Sequence, residues 1–242
     1  MQLIKLDAID STNDFLKAMA ANSDTSNFTV VTAENQTKGK GQMGAVWNSE
    51  IGKNLIMSIL IKKVLSNITD VFDLNIVVAL SVIDVLKKQE IPDLSIKWPN
   101  DIMSANKKIG GILIENSIKS DGSIYSVAGL GLNVNQTNFE NLPKASSLAV
   151  VTDKNFDKGN LLIDIVASMK MNIEKLKENK TALWQEYESE LFRKEMPTVF
   201  ENQNAGRFMG IIKGVSKSGR LQVLMENDQL KDFEIKQIQM LY

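Results

Sequence analysis

The 242-residue chain contains neither cysteine nor histidine. Without a thiol or an imidazole it cannot carry a cysteine nucleophile, a Ser-His-Asp triad, or a zinc site built from Cys or His ligands. Acid–base and electrostatic chemistry must come from Lys, Asp, Glu or Tyr, from a metal held by oxygens, or from the substrate itself. Disulfides are typical of exported proteins, and a chain without cysteine cannot form one. The absence of cysteine therefore agrees weakly with a cytoplasmic location.

Three further absences narrow the class of protein. No apolar run approaches the ~18 residues of a membrane helix, and the N-terminus lacks a signal-peptide pattern. The formal charge is −1 with interspersed signs, so no basic face for nucleic acid is indicated. We therefore expect a cytoplasmic protein with neither a membrane nor a nucleic-acid partner. Its 43% hydrophobic content is enough for one good core and a small second domain.

Hydrophobic periodicity predicts a mostly antiparallel sheet with helices. Strands are expected at 1–7, 28–34, 54–62, 94–97, 102–104, 109–116 and 124–134, and helices at 15–22, 71–89, 158–179 and 181–194. After Met196-Pro197 the helical period is lost, and short β-like segments surround several glycines. This change predicts a large domain over residues 1–195 and a small β domain over residues 196–242.

A glycine-rich loop at residues 36–47 matches two well-known patterns. Both G-x-G-x-x-G-x-V of protein kinases and G-x-G-x-x-G of dinucleotide sites are satisfied. A kinase needs a histidine in its H-R-D loop, and a dinucleotide site needs a helix directly after the glycines, whereas a turn and a strand follow here. What remains is a mobile backbone with Lys38 and Lys40 that can approach an anion. The alternative is a solvated turn between two strands.

Four segments are more informative together than the loop alone. They are Ser11-Thr-Asn13, the loop 36–47, Lys97-Trp-Pro-Asn-Asp101 with Lys108-Ile-Gly-Gly111, and Gly129-Leu-Gly-Leu-Asn133. In this order and spacing they resemble the biotin protein ligases (biotin–[acetyl-CoA-carboxylase] ligases), over residues 7–135 and more loosely to the end. The resemblance implies an α+β catalytic domain like that of class II aminoacyl-tRNA synthetases, with a mixed, mostly antiparallel sheet and flanking helices, followed by an SH3-like β-barrel.

The same resemblance implies a two-step ligation of biotin to a lysine of a biotin carboxyl carrier domain. Biotin's carboxylate attacks the α-phosphate of ATP, which carries Mg²⁺, to give biotinyl-5′-AMP, and the carrier lysine then displaces AMP. By resemblance, Lys108 bridges carboxylate and phosphate and Lys40 neutralises one of them. Asp101 is our candidate for orienting and deprotonating the carrier lysine. No protein-held metal is expected. Because the chain begins almost at the catalytic strand, we expect a monofunctional ligase without the helix-turn-helix of the repressor-ligases.

The remaining site residues follow from the family motifs. The biotin contacts implied are Ser11, Thr12, Asn13, Gln36, Gly39, Lys40, Gly41, Gln42, Lys108, Gly111 and Gly129. The ATP contacts implied are Lys40, Gln42, Met43, Trp47, Asn100, Lys108 and Asn133, with Trp47 packing against adenine. Simpler structural roles stay open for some of them: Ser11 and Thr12 as helix caps, Asp101 as a cap in the Pro turn, and Lys97 as a phosphate ligand or a salt-bridge partner of Asp101.

The chain departs from the family in its loop. Lys40, Gln42 and Ala45 stand where three arginines are usual, and lysine does not reproduce arginine's bidentate fork. This predicts either a leakier adenylate or compensation by other cations. Residues 196–242 show no match to the family's ATP-contacting arginine.

Two rival functions remain. A lipoate ligase or octanoyl transferase shares the fold, although transferases that use an enzyme cysteine are excluded. A non-catalytic module could merely bind biotin or a carrier domain. Biotin-dependent ATP–pyrophosphate exchange separates the three. A monomer and a homodimer are both compatible with the sequence, since edge-to-edge sheet dimers occur in the family.

Overall fold

The computed structural model describes residues 1–22, 24–140, 142–202 and 206–242. Seven strands form one sheet in the order β1-β2-β3-β7-β6-β5-β4. Their bounds are β1 Leu3–Ile9, β2 Val30–Gln36, β3 Leu55–Lys62, β4 Leu94–Lys97, β5 Asp101–Ser104, β6 Lys107–Ile118 and β7 Ile124–Leu132. Only β1 and β2 run parallel, and the other neighbours are antiparallel. The predicted mixed, mostly antiparallel sheet is confirmed.

Helices cover both faces of this sheet. They are α1 Thr12–Asn22, α2 Val71–Lys88, α3 Leu148–Thr152, α4 Lys158–Glu178 and α5 Lys180–Ser189. The continuous apolar run of β3 is explained by burial on both sides: Leu60 packs with Leu16 of α1, whereas Ile59 belongs to the larger core that includes Leu80 of α2. None of the described helices could span a lipid bilayer.

Two helix predictions need correction. Helix α5 ends at Ser189 rather than near residue 194, because the following backbone pairs with the edge strand β4. The backbone N–H of Ile96 donates a hydrogen bond to the Glu190 carbonyl at 2.7 Å, and the Ile96 carbonyl accepts one from the Phe192 N–H at 2.9 Å. The short helix α3 was not predicted. Its N-cap is Ser147, whose side chain accepts a hydrogen bond from the backbone N–H of Val150. The helix was missed because so short a segment cannot show a helical period in the sequence.

The C-terminal residues form a second, antiparallel sheet in the order β11-β10-β9-β8-β12. Its strands are β8 Pro197–Asn202, β9 Gly206–Val215, β10 Leu221–Met225, β11 Leu230–Phe233 and β12 Ile238–Leu241. This agrees with the predicted SH3-like module, except that within the described residues the sheet is open, since β11 and β12 do not pair. Phe200 and Val223 join the main core, and Trp98 donates to the carbonyl of Gly219 at 2.9 Å. The domain boundary at 195/196 stays a prediction.

Candidate active site

A cavity of about 230 Å³ lies between the main sheet, the N-terminus of α1 and the glycine loop. Most of the side chains and glycines predicted from the motifs meet there, although they come from distant parts of the sequence. The predicted residues that line it are Ser11, Thr12, Asn13, Gln36, Lys40, Gly41, Gln42, Met43, Trp47, Asn100, Asp101, Lys108, Gly111 and Gly129. Apolar lining on the same face as these glycines is added by Ile56, Leu113 and Val46.

Two predicted ligand contacts lie behind the cavity wall. A Cβ at Gly39 would stand 2.3 Å from the carbonyl oxygen of Trp47, and the Gly39 carbonyl accepts from the Trp47 backbone at 3.0 Å. Asn133 is buried, and its side chain donates to the Ser146 carbonyl at 2.9 Å. Both residues therefore support the site from behind, and a direct contact between either one and a ligand stays a prediction.

The most deeply buried end of the cavity is a network of polar side chains that includes one carboxylate, Glu115. Thr12 donates to Gln36 Oε1 from its backbone at 2.8 Å and from its hydroxyl at 3.0 Å. The Ser58 hydroxyl lies 2.7 Å from Thr12 Oγ1 and 2.6 Å from Asn13 Oδ1. Asn13 Nδ2 donates to Glu115 Oε2 at 2.8 Å. These fixed groups could read the polar face of a small ligand.

Ser11 contributes to this end from the helix start. Its hydroxyl accepts from the Asp14 backbone at 3.3 Å, which confirms the capping role considered for Ser11. The Thr12 hydroxyl faces Gln36 instead.

Sequence reasoning missed Ser58 and Glu115 in this network. Ser58 is the one uncharged polar residue within the apolar strand β3 and is fully buried. A lone hydroxyl in a strand that is buried on both faces needs a hydrogen-bond partner. The sequence could therefore have indicated that Ser58 belongs to a buried polar network. Glu115, half-buried on β6, had no comparable signal.

The floor of the cavity is bare backbone of β7. A Cβ at Gly129 would lie 2.4 Å from Asn13 Oδ1, and one at Gly131 would lie 2.4 Å from Trp47 Cε2. Residues i and i+2 of a strand face the same side, so the two glycines make one flat surface on which Asn13 and Trp47 rest. Glycines inside a strand often mark a close approach, and here the approaching groups are the Asn13 and Trp47 side chains.

Charged groups stand at the opposite side. Lys108 Nζ lies 2.6 Å from Asp101 Oδ1, and Lys97 Nζ lies 3.5 Å from Asp101 Oδ2. The salt bridge considered for Lys97 is present, and a role for Lys97 as a phosphate ligand stays a prediction. Lys108 Nζ is also 5.7 Å from the ring centroid of Trp47. The indole Nε1 of Trp47 is buried and has no hydrogen-bond partner among the described residues, which leaves a donor at the cavity wall.

The glycine loop folds over the mouth of the cavity. Lys40 pairs with Val46 in a short β-bridge, and the tip turns through Met43, whose φ is 53°. Lys40 Nζ lies 2.5 Å from Asp14 Oδ2, and this hydrogen bond lowers the pKa of Asp14 although partial burial opposes the shift. Across the described ranges, no three acidic side chains converge to hold a metal ion.

Lys236 is a third site residue that sequence reasoning missed. It comes from the turn before β12 of the C-terminal sheet, lines the cavity, and donates from Nζ to the Met43 carbonyl at 2.6 Å. The two residues are 193 positions apart, and no local pattern marks Lys236 as different from other exposed lysines.

Comparison with known proteins gives one consistent answer. The model of the "Biotin/lipoate A/B protein ligase family" matches residues 6–133, more than half of the chain. The bifunctional ligase/repressor BirA of Bacillus spizizenii is 30% identical over 169 residues, which are 68% of this chain and 51% of that protein. The biotin–[acetyl-CoA-carboxylase] ligase of Mycobacterium tuberculosis is 32% identical over 164 residues, 65% of this chain and 60% of that one. The chain thus spans little more than half the length of these relatives.

A solved structure agrees over almost the full length. The biotin protein ligase from Aquifex aeolicus in complex with biotin and ATP superposes with a TM-score of 0.81 at 29% identity, covering 99% of this chain and 98% of that chain. An apo structure of the A. aeolicus ligase gives a TM-score of 0.75 at 26% identity, covering 99% and 98%.

Proposed function

The chain belongs to the biotin/lipoate A/B protein ligase family, and we propose that it joins biotin to a lysine of a biotin carboxyl carrier domain in the cytoplasm, with ATP as the energy source. The observation that carries the proposal is the polarity of the cavity: a buried hydrogen-bonding network lies at one end, Lys108 lies at the opposite side, and Lys40 lies at the mouth. Biotin has the matching polarity, with a ureido ring, an apolar body and a carboxylate.

Biotin fits the cavity in one orientation. Its ureido group would meet Thr12, Asn13 and Gln36, and its rings would lie between the glycine floor of β7 and the apolar walls. The carboxylate would then point toward Lys108. Polar groups fix the orientation of a ligand while apolar contact supplies much of its affinity.

In the first step, a carboxylate oxygen attacks the α-phosphorus of ATP, and the bond from that phosphorus to the pyrophosphate oxygen breaks. At an effective dielectric constant of 20, two like unit charges 4 Å apart repel by about 4 kcal/mol. Lys108 and Lys40 line the cavity, and their charges would offset this repulsion once they turn from their aspartates to the two anions. Mg²⁺ would arrive with the nucleotide, and Trp47 would stack on adenine from the wall next to Gly131.

In the second step, the carrier lysine attacks the carbonyl carbon of biotinyl-5′-AMP and AMP leaves. The amine has a pKa of ~10.4 in water, so its deprotonation at neutral pH costs roughly 4–5 kcal/mol. Asp101 is our candidate for accepting that proton. Its two oxygens face Lys108 and Lys97 in the structure, so the role requires Lys108 to turn toward the adenylate first.

Replacing Asp101 with asparagine tests this role. We expect Asp101→Asn to keep adenylate formation and to slow carrier transfer by about 10²–10⁴-fold, the usual contribution of a general base. The two half-reactions are measured separately on the same preparation, by pyrophosphate exchange and by single-turnover transfer from preformed adenylate. Equal losses in both would show that Asp101 only holds Lys108 in place.

Lys236 supports the second of the two outcomes predicted from the altered loop, compensation by another cation. Its charge lies at the loop tip beside Gln42, where the family usually has an arginine. We expect Lys236→Ala to release biotinyl-5′-AMP about two- to fivefold faster, the range for a partly exposed charge contact. Lys231→Ala, an exposed lysine on β11, is the matched control. An unchanged release rate in the Lys236 variant would show that Lys236 does not compensate for the missing loop arginine.

The function itself is tested by isotope exchange with the purified chain. Biotin-dependent ATP–pyrophosphate exchange, followed by a mass increase of a carrier domain equal to one biotinyl group, is the expected result. Exchange with lipoate and not biotin would favour the lipoate ligase alternative, and no exchange would favour a binding module. The proposal involves no nucleic-acid partner, and it holds for a monomer or a homodimer.

A further inference from the structure

Both lysines of the glycine loop are paired with aspartates of the β1–α1 segment. Lys38 Nζ lies 2.7 Å from Asp10 Oδ2, and Lys40 Nζ lies 2.5 Å from Asp14 Oδ2. The first pair faces solvent away from the cavity, whereas Lys40 lines it. A cation that should meet an anionic ligand is therefore already neutralised by a carboxylate of its own chain.

Asp14 has a second partner that does not contact the cavity. Lys17 Nζ lies 3.1 Å from Asp14 Oδ1 and 2.5 Å from Glu115 Oε1. If Lys40 turns toward a ligand, Asp14 keeps Lys17 and no carboxylate is left unpaired. Breaking the Lys40–Asp14 contact is for that reason inexpensive, in contrast to breaking an isolated buried pair.

The same arrangement occurs at the other cavity cation. Asp101 holds Lys108 on one oxygen and Lys97 on the other, so Lys97 can remain when Lys108 turns to the ligand. Each cavity lysine thus shares its aspartate with a second lysine that stays behind. The arrangement occurs twice, on α1 and on the β5–β6 hairpin, which are unrelated segments. In both places a cavity lysine can exchange its aspartate partner for an anionic group of the ligand.

We propose that Asp14 is a positioning residue that competes with the anionic ligand for Lys40. It keeps the ammonium group at the mouth of the empty cavity, and the carboxylate or phosphate of the ligand then replaces it. This inference rests on the proposed biotin ligase function. The competition is mild, because the side chains of Lys40 and Asp14 are 48% and 41% exposed and water screens such pairs. Removing the carboxylate therefore strengthens the binding of anions.

Titration calorimetry on the full chain tests the competition with three probes. Biotin carries a carboxylate, biotinol-5′-AMP carries a phosphodiester, and biotinol is the neutral alcohol. Asp14→Asn should bind one or both anionic probes about two- to fivefold more tightly and biotinol with unchanged affinity. Asp14→Glu, which restores a carboxylate, should return to wild-type values. Asp10→Asn, the matched variant that frees Lys38, should leave all three affinities unchanged.

Each outcome has a distinct meaning. A gain for biotin assigns Lys40 to the carboxylate, and a gain for biotinol-5′-AMP alone assigns it to the phosphate; either supports the competition. Equal or weaker binding of both anions by Asp14→Asn overturns it, and so does a parallel change for biotinol, which would mean that Asp14 merely supports helix α1. If the wild-type chain binds none of the probes, the proposed function fails and this inference fails with it.

Discussion

Replacing Lys108 with alanine should slow biotin-dependent ATP–pyrophosphate exchange by on the order of 10²–10³-fold, the usual loss when one preorganised charge-stabilising group is removed. Lys108 is the cation nearest to Trp47 and Asp101, where the biotin carboxylate and the α-phosphate are expected to meet. Its loss leaves only Lys40 of the two lysines proposed to offset their mutual repulsion. The measurement is the exchange rate at saturating biotin and ATP, which reports on chemistry rather than on affinity.

The neighbouring lysine provides a matched control. Lys107 is exposed, and its ammonium group donates to the Pro143 carbonyl outside the cavity. Lys107→Ala should therefore keep nearly full exchange activity. Lys108→Arg retains the charge with a different geometry and should recover part of the rate. Comparable exchange rates in Lys108→Ala and Lys107→Ala would contradict the assignment and would remove the electrostatic basis of the mechanism.

A single methyl group on the cavity floor should have the second large effect. Gly129→Ala places a Cβ 2.4 Å from Asn13 Oδ1, well inside contact distance. Asn13 cannot easily move away, because Ser58 and Glu115 hold its amide. Overpacking of this kind costs about 1–3 kcal/mol. Because biotin is expected to need the Asn13 amide in its present place, the complex bears this cost, and the dissociation constant for biotin should rise by up to roughly 5- to 150-fold. Calorimetric titration with biotin measures it.

A double-mutant cycle shows whether the clash with Asn13 is the cause. Asn13→Ala removes the obstructing amide, so adding Gly129→Ala to that variant should change biotin affinity little. Contacting residues give such non-additive effects, whereas independent sites add. If the two changes add, the methyl group acts on the ligand directly rather than through Asn13.

The candidate site was largely predictable because short motifs carry most of it. Lys108, Asp101 and Gly129 lie in segments whose residue types and spacing are distinctive, and the strands that hold them have clear hydrophobic patterns. Contacts made by the fold were harder to predict. Lys236 contacts the loop from 193 positions away in the sequence. Glu115 belongs to the site because the fold brings it to Asn13 and Lys17, and nothing in its own segment indicates this. The end of α5 at Ser189 is likewise set by pairing with β4, a tertiary effect that overrides helix propensity.

The backbone floor of β7 restricts how the cavity could be redesigned. Positions 129 and 131 already have no side chain, so nothing can be trimmed there to admit a bulkier analogue of the vitamin. Extra room must come from the neighbouring strands, where Ile56 is buried and Leu113 is half-buried beside the glycines. Enlarging the pocket would thus remove apolar packing from the centre of the sheet, and a broader ligand range would be obtained at the expense of thermal resistance.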